Sequence, residues 1–523
     1  MVQSHVQKFQ RIGIIGAGTM GSGIALLGLR GGMTVHLFDV SRNMLESGSK
    51  YIEKHLARKN QQELRANLQL TTELAALAHC EAIIEAAPER IDIKQKLFAE
   101  LDSICGPNTV LASNTSTLPV TQIAAAAATP ERVGGMHFFN PAPVLPLVEV
   151  VRGAQTSEAT VEAMVRLAAQ LGKTPVVLSD SPGFIVNRIA RPFYGEALRL
   201  VSERIATHQQ VDRITEHSGG FRMGPFRLMD LIGIDINFTA MKSMYEQTFG
   251  DARYRPSLLQ LQKIQENALG KKTGRGFYDY HNEDSSSTGA PALESSSIFN
   301  APVYISPGNW APGLPELCRQ NGINVQQNLS SKTAVAVCIA GREQDNRTVL
   351  AQLEKQLSPE ATILCQCVDV TLSEIATWLA NPRRLAGFDG LFFSRGSAVT
   401  CVGTPELSGH ARKHVEQFVA SLKRTVEWID DGPALVTPRI VAMLANEAFF
   451  AIGEGLAEAE TIDKAMQLGV NYPKGPHAWA QEIGFRNILA ILDHLYEEYH
   501  EERYRAAPLL RRSVRQYLHS APK

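Results

Sequence analysis

At the start of the chain, apolar residues come first as a short unbroken run and then at helical spacing. "RIGII" leads into "GAGTMGSGIALLGLRGG" and then into "TVHLFD", a strand–helix–strand unit by length and period. Strand-like runs recur at "EAIIEAAP", "TVLASNTS", "RVGGMHFF" and "LVEVV", with "RIDIKQKLFAELDSI" at helical spacing between the first two. This alternation predicts a doubly wound sheet with flanking helices over residues 1–185. From "SPGFIVNRIARPFYGEALRLVSE" onward the period is helical, and "GKKTGRGFYDY" closes an all-helical domain over 186–281. The Ser-rich, Pro/Gly-punctuated "HNEDSSSTGAPALESSSIFN" opens a linker expected over 282–330. Strand and helix patterns alternate again over 331–431, through "TAVAVCIAG", "ATILCQC", "RRLAGFDGLFF" and "GSAVTCVG", and the tail over 432–523 is helical.

That tail is a repeat. "PGFIVNRIARPFYGEAL" from Pro182 lies over "PALVTPRIVAMLANEAF" from Pro433, a constant spacing of 251 residues that sets Arg188 on Arg439, Glu196 on Glu447 and Asp212 on Asp463. The register holds through "MGPFRLMDLIG" over "KGPHAWAQEIG". Upstream, Ile123 matches Ile375 and Gly135 matches Gly387. The chain reads as two copies of one two-part module.

Composition narrows the setting without naming a function. The 523 residues, 44% of them hydrophobic and 20% charged, allow several domains with sizeable cores. A net charge of −1 gives no electrostatic case for nucleic acid or a membrane surface as partner. No apolar run is long enough to span a bilayer, and the first residues show no secretory pattern. Seven cysteines with no C-x-x-C pair fit reduced thiols in a cytoplasm and suggest no metal site.

The chemistry begins at the first strand-to-helix turn. Gly16, Gly18 and Gly21 form G-x-G-x-x-G there, with Thr19 and Met20 inside the turn and Asp39 ending the second strand. Gly16 permits the tight turn, Gly18 lets the backbone approach a pyrophosphate, and Gly21 allows close helix–strand packing. Asp39 suits the ribose hydroxyls of NAD and would repel a 2′-phosphate. Three further polar clusters end strands or open a helix: "ASNTS" with Ser116, "HFFNP" with His137, and "PGFIVN" with Asn187. In an open α/β sheet, ligands bind at the carboxyl ends of strands.

These stretches, with "LVEVV", "MGPF" and "GKKTGRGFY", resemble the motifs of the 3-hydroxyacyl-CoA dehydrogenase family in the family's order, from Arg11 to about Tyr280. The resemblance implies an α/β Rossmann-type domain followed by an all-α domain, here with a degenerate second copy of both. It implies NAD as cofactor and an acyl-CoA as substrate. His137 would be the base that takes the alcohol proton, with Glu149 orienting it. Ser116 and Asn187 would bind substrate oxygens. Glu89, Lys94, Asn140 and Lys272 would lie along the cofactor. The two-copy length, "ARPFY" and "GVNYPKGP" most resemble long bacterial members from phenylacetate catabolism, which implies oxidation of 3-hydroxyadipyl-CoA. A short-chain 3-hydroxybutyryl-CoA substrate and a non-catalytic structural role are the alternatives.

Arg191, four residues after Asn187, is the candidate reader of a terminal acyl carboxylate, with Arg253 and Arg255 as rivals. Shorter relatives place CoA-contacting Ser and Lys residues after the ribose acid. Here that stretch reads "YIEKHLARKNQQ", so His55 and Gln62 are the nearest matches, and Arg58 and Lys59 are candidates for the CoA phosphates. In the second copy Ser116 falls on Val368, His137 on Asp389, Glu149 on Thr400 and Asn187 on Pro438. One active site per chain is therefore expected. The second copy is expected to pack as an intrachain pseudo-partner, because single-copy relatives dimerise through the helical domain; a homodimer of the whole chain stays open.

Overall fold

The computed structural model describes residues 8–281, 299–342 and 345–520. The first sheet takes β1 (Arg11–Ile15), β2 (Thr34–Phe38), β3 (Leu68–Thr71), β4 (Ala82–Glu85), β5 (Val110–Ser113), β6 (Val133–Phe138), β7 (Leu147–Arg152) and β8 (Thr174–Ser179). Their order across the sheet is β3-β2-β1-β4-β5-β6-β7-β8, parallel throughout except for the antiparallel pair β6–β7. Chain order reverses at β1, between β2 and β4, which opens the crevice where such sheets bind ligands. Strands buried on both faces need apolar residues at every position, and Ile12, Ile14, Val35, Leu37 and Ile84 join Ile24 and Leu27 of helix Thr19–Arg30 in one core.

The second sheet takes β9 (Val303–Ile305), β10 (Val325–Gln326), β11 (Val335–Cys338), β12 (Thr362–Gln366), β13 (Leu385–Phe388), β14 (Ala398–Gly403) and β15 (Thr425–Ile429). Its order β10-β9-β11-β12-β13-β14-β15 repeats the first sheet without a counterpart of β3, and again one antiparallel pair, β13–β14, sits toward the far edge. The expected linker at 282–330 therefore needs correction. Residues 282–298 lie outside the described residues, but Val303–Ile305 and Val325–Gln326 are strands of this sheet, joined by helix Leu314–Gln320. Strands of three and two residues are too short for a period-2 signal to register.

The expected division into consecutive domains also gives way. One compact unit combines the residues through Ile189 with Ala451–Gly475, and the other combines Ala190–Phe450 with the stretch from Pro476 onward. The reason is an exchange of helices. In the first unit, helix Ala459–Val470 packs on β7, β8 and the short helix Val186–Ile189. In the second, helix His208–His217, its counterpart at the 251-residue spacing, packs on β14 and β15.

Reciprocal ion pairs follow the same logic. Arg439 meets Glu203 at 3.0 Å in the second unit, and Arg188 meets Glu454 at 2.8 Å in the first. Arg503 and Tyr504 bind Glu196 at 2.7 and 3.0 Å, while Arg253 and Tyr254 bind Glu447 at 3.0 and 2.6 Å. The ion pairs made by residues of one copy thus recur at the corresponding residues of the other.

Candidate active site

The dinucleotide turn has the shape its glycines predict. Gly16 takes φ +93°, and a Cβ there would lie 2.6 Å from the Ala86 carbonyl oxygen. A Cβ on Gly21 would lie within 1.7 Å of the Gly16 carbonyl oxygen, so only glycine lets helix Thr19–Arg30 start this close to the strand. Over Gly18 a Cβ would meet nothing within 4 Å, which leaves that backbone open to a ligand. The helix carries no side-chain cap and no acid in its first turn, so the N–H groups of Thr19 and Met20 and the positive end of the dipole remain for a pyrophosphate. Asp39 ends β2 beside it. Its Oδ2 accepts the Ala17 N–H at 2.8 Å, which ties the ribose-side acid to the glycine turn. These residues fit a dinucleotide such as NAD.

Beyond β4 and β5 the carboxyl edge is organised by carboxylates. Glu89 Oε1 accepts from the Thr115 hydroxyl at 2.7 Å and from the Ser116 and Thr117 N–H groups at 2.9 Å each. Burial raises its pKa, but the Thr115 hydroxyl, the Lys94 charge and the two amides outweigh that and hold it below the usual carboxylate range. Lys94 is buried, with its ammonium 2.5 Å from Glu85 and 3.4 Å from Glu89. Glu85 went unnoticed in the sequence. It is fully buried, accepts the Ser113 hydroxyl at 2.6 Å, and with Lys94 forms the floor under Glu89. The available signal was a glutamate ending the apolar run "AIIE", which a buried strand tolerates only with a partner.

His137 and Glu149 stand directly opposite each other on the antiparallel pair β6–β7. Side chains of directly paired residues share a face at close range, and His137 Nδ1 reaches Glu149 Oε2 at 2.6 Å. Glu149 is fully buried, and its other oxygen accepts the Ile185 and Val186 N–H groups at 2.9 Å each. Gly183 and Phe184, both at positive φ, make the tight turn that aims those two amides at the carboxylate. Asn187 follows at once, and its side-chain amide donates to the Ser116 carbonyl at 3.5 Å. Ser116, His137, Glu149 and Asn187, scattered over 72 residues of sequence from 116 to 187, thus converge within the first unit. Phe139 and Phe184 flank the imidazole, with ring centres 4.5 and 5.7 Å away.

Asn140 is exposed at the start of the β6–β7 connection. That connection is clamped by Lys173, a second residue the sequence reading missed, whose ammonium donates to the Ala142 and Leu145 carbonyls at 2.5 and 2.8 Å. Burial lowers the Lys173 pKa to about 8. Lys272 belongs to the second unit and pairs with Asp235 at 2.5 Å. Arg191 does not continue the helix of Asn187. The short helix ends at Ile189 and another begins at Arg191, because Pro192 has no N–H to donate to the Arg188 carbonyl one turn back. Arg191 is buried, its guanidinium 5.2 Å from the centre of the Tyr194 ring. Arg253 is committed to Asp251 and Glu447 and lies 4.1 Å over the Phe450 ring, while Arg255 is exposed. On the stretch after Asp39, His55 bonds the Tyr51 carbonyl at 2.8 Å, while Arg58 and Lys59 are exposed; Gln62 opens a 3-10 turn.

Comparison with known protein families matches residues 11–181 to the 3-hydroxyacyl-CoA dehydrogenase NAD-binding domain. Residues 183–280 and again 435–520 match the C-terminal domain of the same enzymes. The chain belongs to the 3-hydroxyacyl-CoA dehydrogenase family. It is 35% identical over 514 residues to a 3-hydroxyadipyl-CoA dehydrogenase of Escherichia coli K12, covering 96% of this chain and 97% of that one. A 3-hydroxybutyryl-CoA dehydrogenase of Bradyrhizobium diazoefficiens is 39% identical over 280 residues, 52% of this chain and 95% of the relative. Among solved structures, one described as 3-hydroxybutyryl-CoA dehydrogenase from Escherichia coli K12 superposes with a TM-score of 0.82 at 33% identity, covering 98% of this chain and all of that one.

As a 3-hydroxyacyl-CoA dehydrogenase the chain is an NAD-dependent oxidoreductase, and its second copy carries other residues at the places of His137 and Glu149. Asp389 and Thr400 occupy the places of His137 and Glu149, with the Asp389 N–H donating to the Thr400 carbonyl at 3.0 Å. Both side chains are buried, and burial pushes the Asp389 carboxyl up to about 7. Gly308 follows β9 as Gly16 follows β1, but the turn then runs into Trp310, which is 4% exposed. A Cβ on Gly341, just past β11, would lie 1.9 Å from the Trp310 indole nitrogen. An indole therefore fills the edge between β9 and β11, the place that corresponds to the open crevice between β1 and β4. Among the described residues, no helix is long and apolar enough to cross a membrane.

Proposed function

We propose that the chain oxidises the C3 hydroxyl of an L-3-hydroxyacyl-CoA to the 3-ketoacyl-CoA, with 3-hydroxyadipyl-CoA as its substrate, in the reducing cytoplasm that seven free, buried cysteines suit. The observation that carries the catalytic reading is the 2.6 Å contact between His137 Nδ1 and a fully buried Glu149. That contact fixes the ring so that Nε2 is the nitrogen presented to the alcohol. His137 takes the hydroxyl proton at Nε2, and Glu149 stabilises the imidazolium that forms. Ser116 and Asn187, joined to each other and to the Glu149 turn, hold the substrate oxygen so that C3–H points one way. NAD, when bound, supplies the acceptor for the hydride that leaves C3. The glycine turn, Asp39 and Glu89 would hold it, with Lys94 behind Glu89 and Asn140 as a further contact.

The adipyl reading rests on likeness over nearly the whole chain to a two-copy relative. The half-length relatives favour a second reading, a 3-hydroxybutyryl ester. Comparing kcat/KM for 3-hydroxyadipyl-CoA and 3-hydroxybutyryl-CoA separates the two, and a preference for the butyryl ester would replace the first. For the base, His137→Gln should cut kcat by about 10²–10⁴-fold and leave NAD affinity near wild type. Turnover at the wild-type rate in that variant would remove His137 from the mechanism.

A further inference from the structure

We infer that the catalytically silent copy serves the reaction as a buttress, with Gly469 on its helix Ala459–Val470 acting as a positioning residue for Glu149 and Asn187. The inference rests on the role given to those two residues above. Ile462, Ala465, Met466 and Gly469 are the buried residues of that helix, and their spacing puts them on one face. The helix packs on β7, β8 and the helix Val186–Ile189, all within the first unit.

Gly469 sits where two of the site's supports meet. A Cβ there would lie 2.8 Å from Leu147 Cδ2 and 3.0 Å from Val186 Cγ2. Leu147 stands two residues before Glu149 on β7, so both project from the same face of the strand. Val186 supplies one of the two N–H groups held by Glu149 and directly precedes Asn187. Pressure from a side chain at 469 would thus move both ends of the clamp that orients His137. Two neighbouring contacts fix the helix in place: the Ser179 N–H donates to the Leu456 carbonyl at 3.0 Å, and buried Arg188 pairs with Glu454 at 2.8 Å.

The other half of the chain provides an internal comparison. At the 251-residue spacing Gly469 corresponds to Ser218 and Leu147 to Ala398, and there the Ser218 hydroxyl donates to the Ala398 carbonyl at 2.8 Å. On the silent sheet a larger residue, capping the helix, meets the carbonyl of a smaller one on the strand. On the catalytic sheet the order is reversed, with glycine facing leucine. The silent copy has therefore lost its own chemistry while keeping, on its exchanged helix, a surface fitted to the working site.

The test uses the full chain with Gly469→Ala, Gly469→Val, Gly469→Ser, Leu147→Ala and the double variant Gly469→Ser/Leu147→Ala. Displacing the clamp by a fraction of an ångström to about 1 Å should lower kcat by about 10-fold for alanine and about 100-fold for valine. NAD affinity, read by fluorescence titration, should stay within about twofold, because the glycine turn is untouched. The double variant installs the Ser218–Ala398 pairing and should recover most of the loss seen with Gly469→Ser. If valine prevents folding, alanine and the double variant decide the matter. A folded Gly469→Ala enzyme with wild-type kcat overturns the proposal, as does a double variant no more active than Gly469→Ser. Failure of the underlying reading looks different: the wild type itself would not turn over hydroxyacyl-CoA esters, or His137→Gln would not slow it.

Discussion

Replacing Glu196 with glutamine should expose how much the buried ion-pair cluster of the second unit contributes to stability. Glu196 is fully buried and receives Arg439 Nε at 2.8 Å, Arg503 at 2.7 Å and the Tyr504 hydroxyl at 3.0 Å. Burial alone would raise its pKa, but Arg503, Arg439 and Arg199 overcome it and bring it down to about 2 from 4.5. That gap corresponds to about 3 kcal/mol of stability. The sign follows from proton uptake. As pH falls, the unfolded chain binds the proton first, so the contribution is complete above about pH 5 and is lost as pH approaches 2. The amide keeps an acceptor but no charge, and among the described residues it leaves fully buried Arg439 with Glu203 as its remaining carboxylate at 3.0 Å. Breaking a buried pair from one side costs about 3–5 kcal/mol. Urea unfolding of wild type and Glu196→Gln should therefore differ by about 3 kcal/mol or more at pH 7 and by about 1 kcal/mol near pH 3. A difference below about 1 kcal/mol at pH 7, or one that does not shrink with acid, would refute the argument.

Asp389→Asn should leave kcat at wild type, with calorimetry finding one NAD per chain; two equivalent sites would show that the second crevice is not closed by Trp310. Because the folded chain holds the Asp389 proton up to about pH 7 while the unfolded chain releases it near 3.8, the same variant should become relatively more stable as pH rises between those values. His494 is buried, neither ring nitrogen has a hydrogen-bond partner among the described residues, and burial with the nearby Arg342 charge lowers its pKa to about 3. The unfolded chain then binds that proton first, so stability falls as pH drops from 6.5 toward 3, and His494→Leu should flatten that part of the melting-temperature profile. Arg191→Met should lower kcat/KM for 3-hydroxyadipyl-CoA by about 10- to 150-fold while sparing the butyryl ester; equal losses on both would make Arg191 structural.

What could be read from the sequence was local or periodic. Gly16, Gly18 and Gly21 announce their turn because only glycine fits each constraint, and that turn follows directly from neighbouring residues. His137 and Glu149 were identifiable as partners through family motifs, and the antiparallel β6–β7 register supplies the physical cause. The repeat was visible because one spacing carries Arg188 to Arg439 and Glu196 to Glu447. The same spacing could not reveal that the helices trade sheets, since Gly469 against Leu147 is a contact across more than half of the chain. Strands β9 and β10 escaped notice because two or three residues show no alternation. Glu85 and Lys173 escaped because a buried charge is recognised by its partner, and the partners here are brought in by folding. Arg191 was placed one turn beyond Asn187 with a bend at Pro192, and the break between the helices ending at Ile189 and starting at Arg191 falls at that point.

The exchanged helices have a consequence for how such a chain can change. In a homodimer a single codon writes both sides of a two-fold contact, so a substitution that improves one side is imposed on the other. Here the two sides are encoded separately, and they have already diverged: Ser218 meets Ala398 in one place and Gly469 meets Leu147 in the other. Each half can be adjusted without a matching cost in its twin. One sheet can close over an indole while the other keeps an open crevice. It also follows that residues 1–281 expressed alone would lack the helix that covers β7 and β8, and would have to borrow it from another molecule.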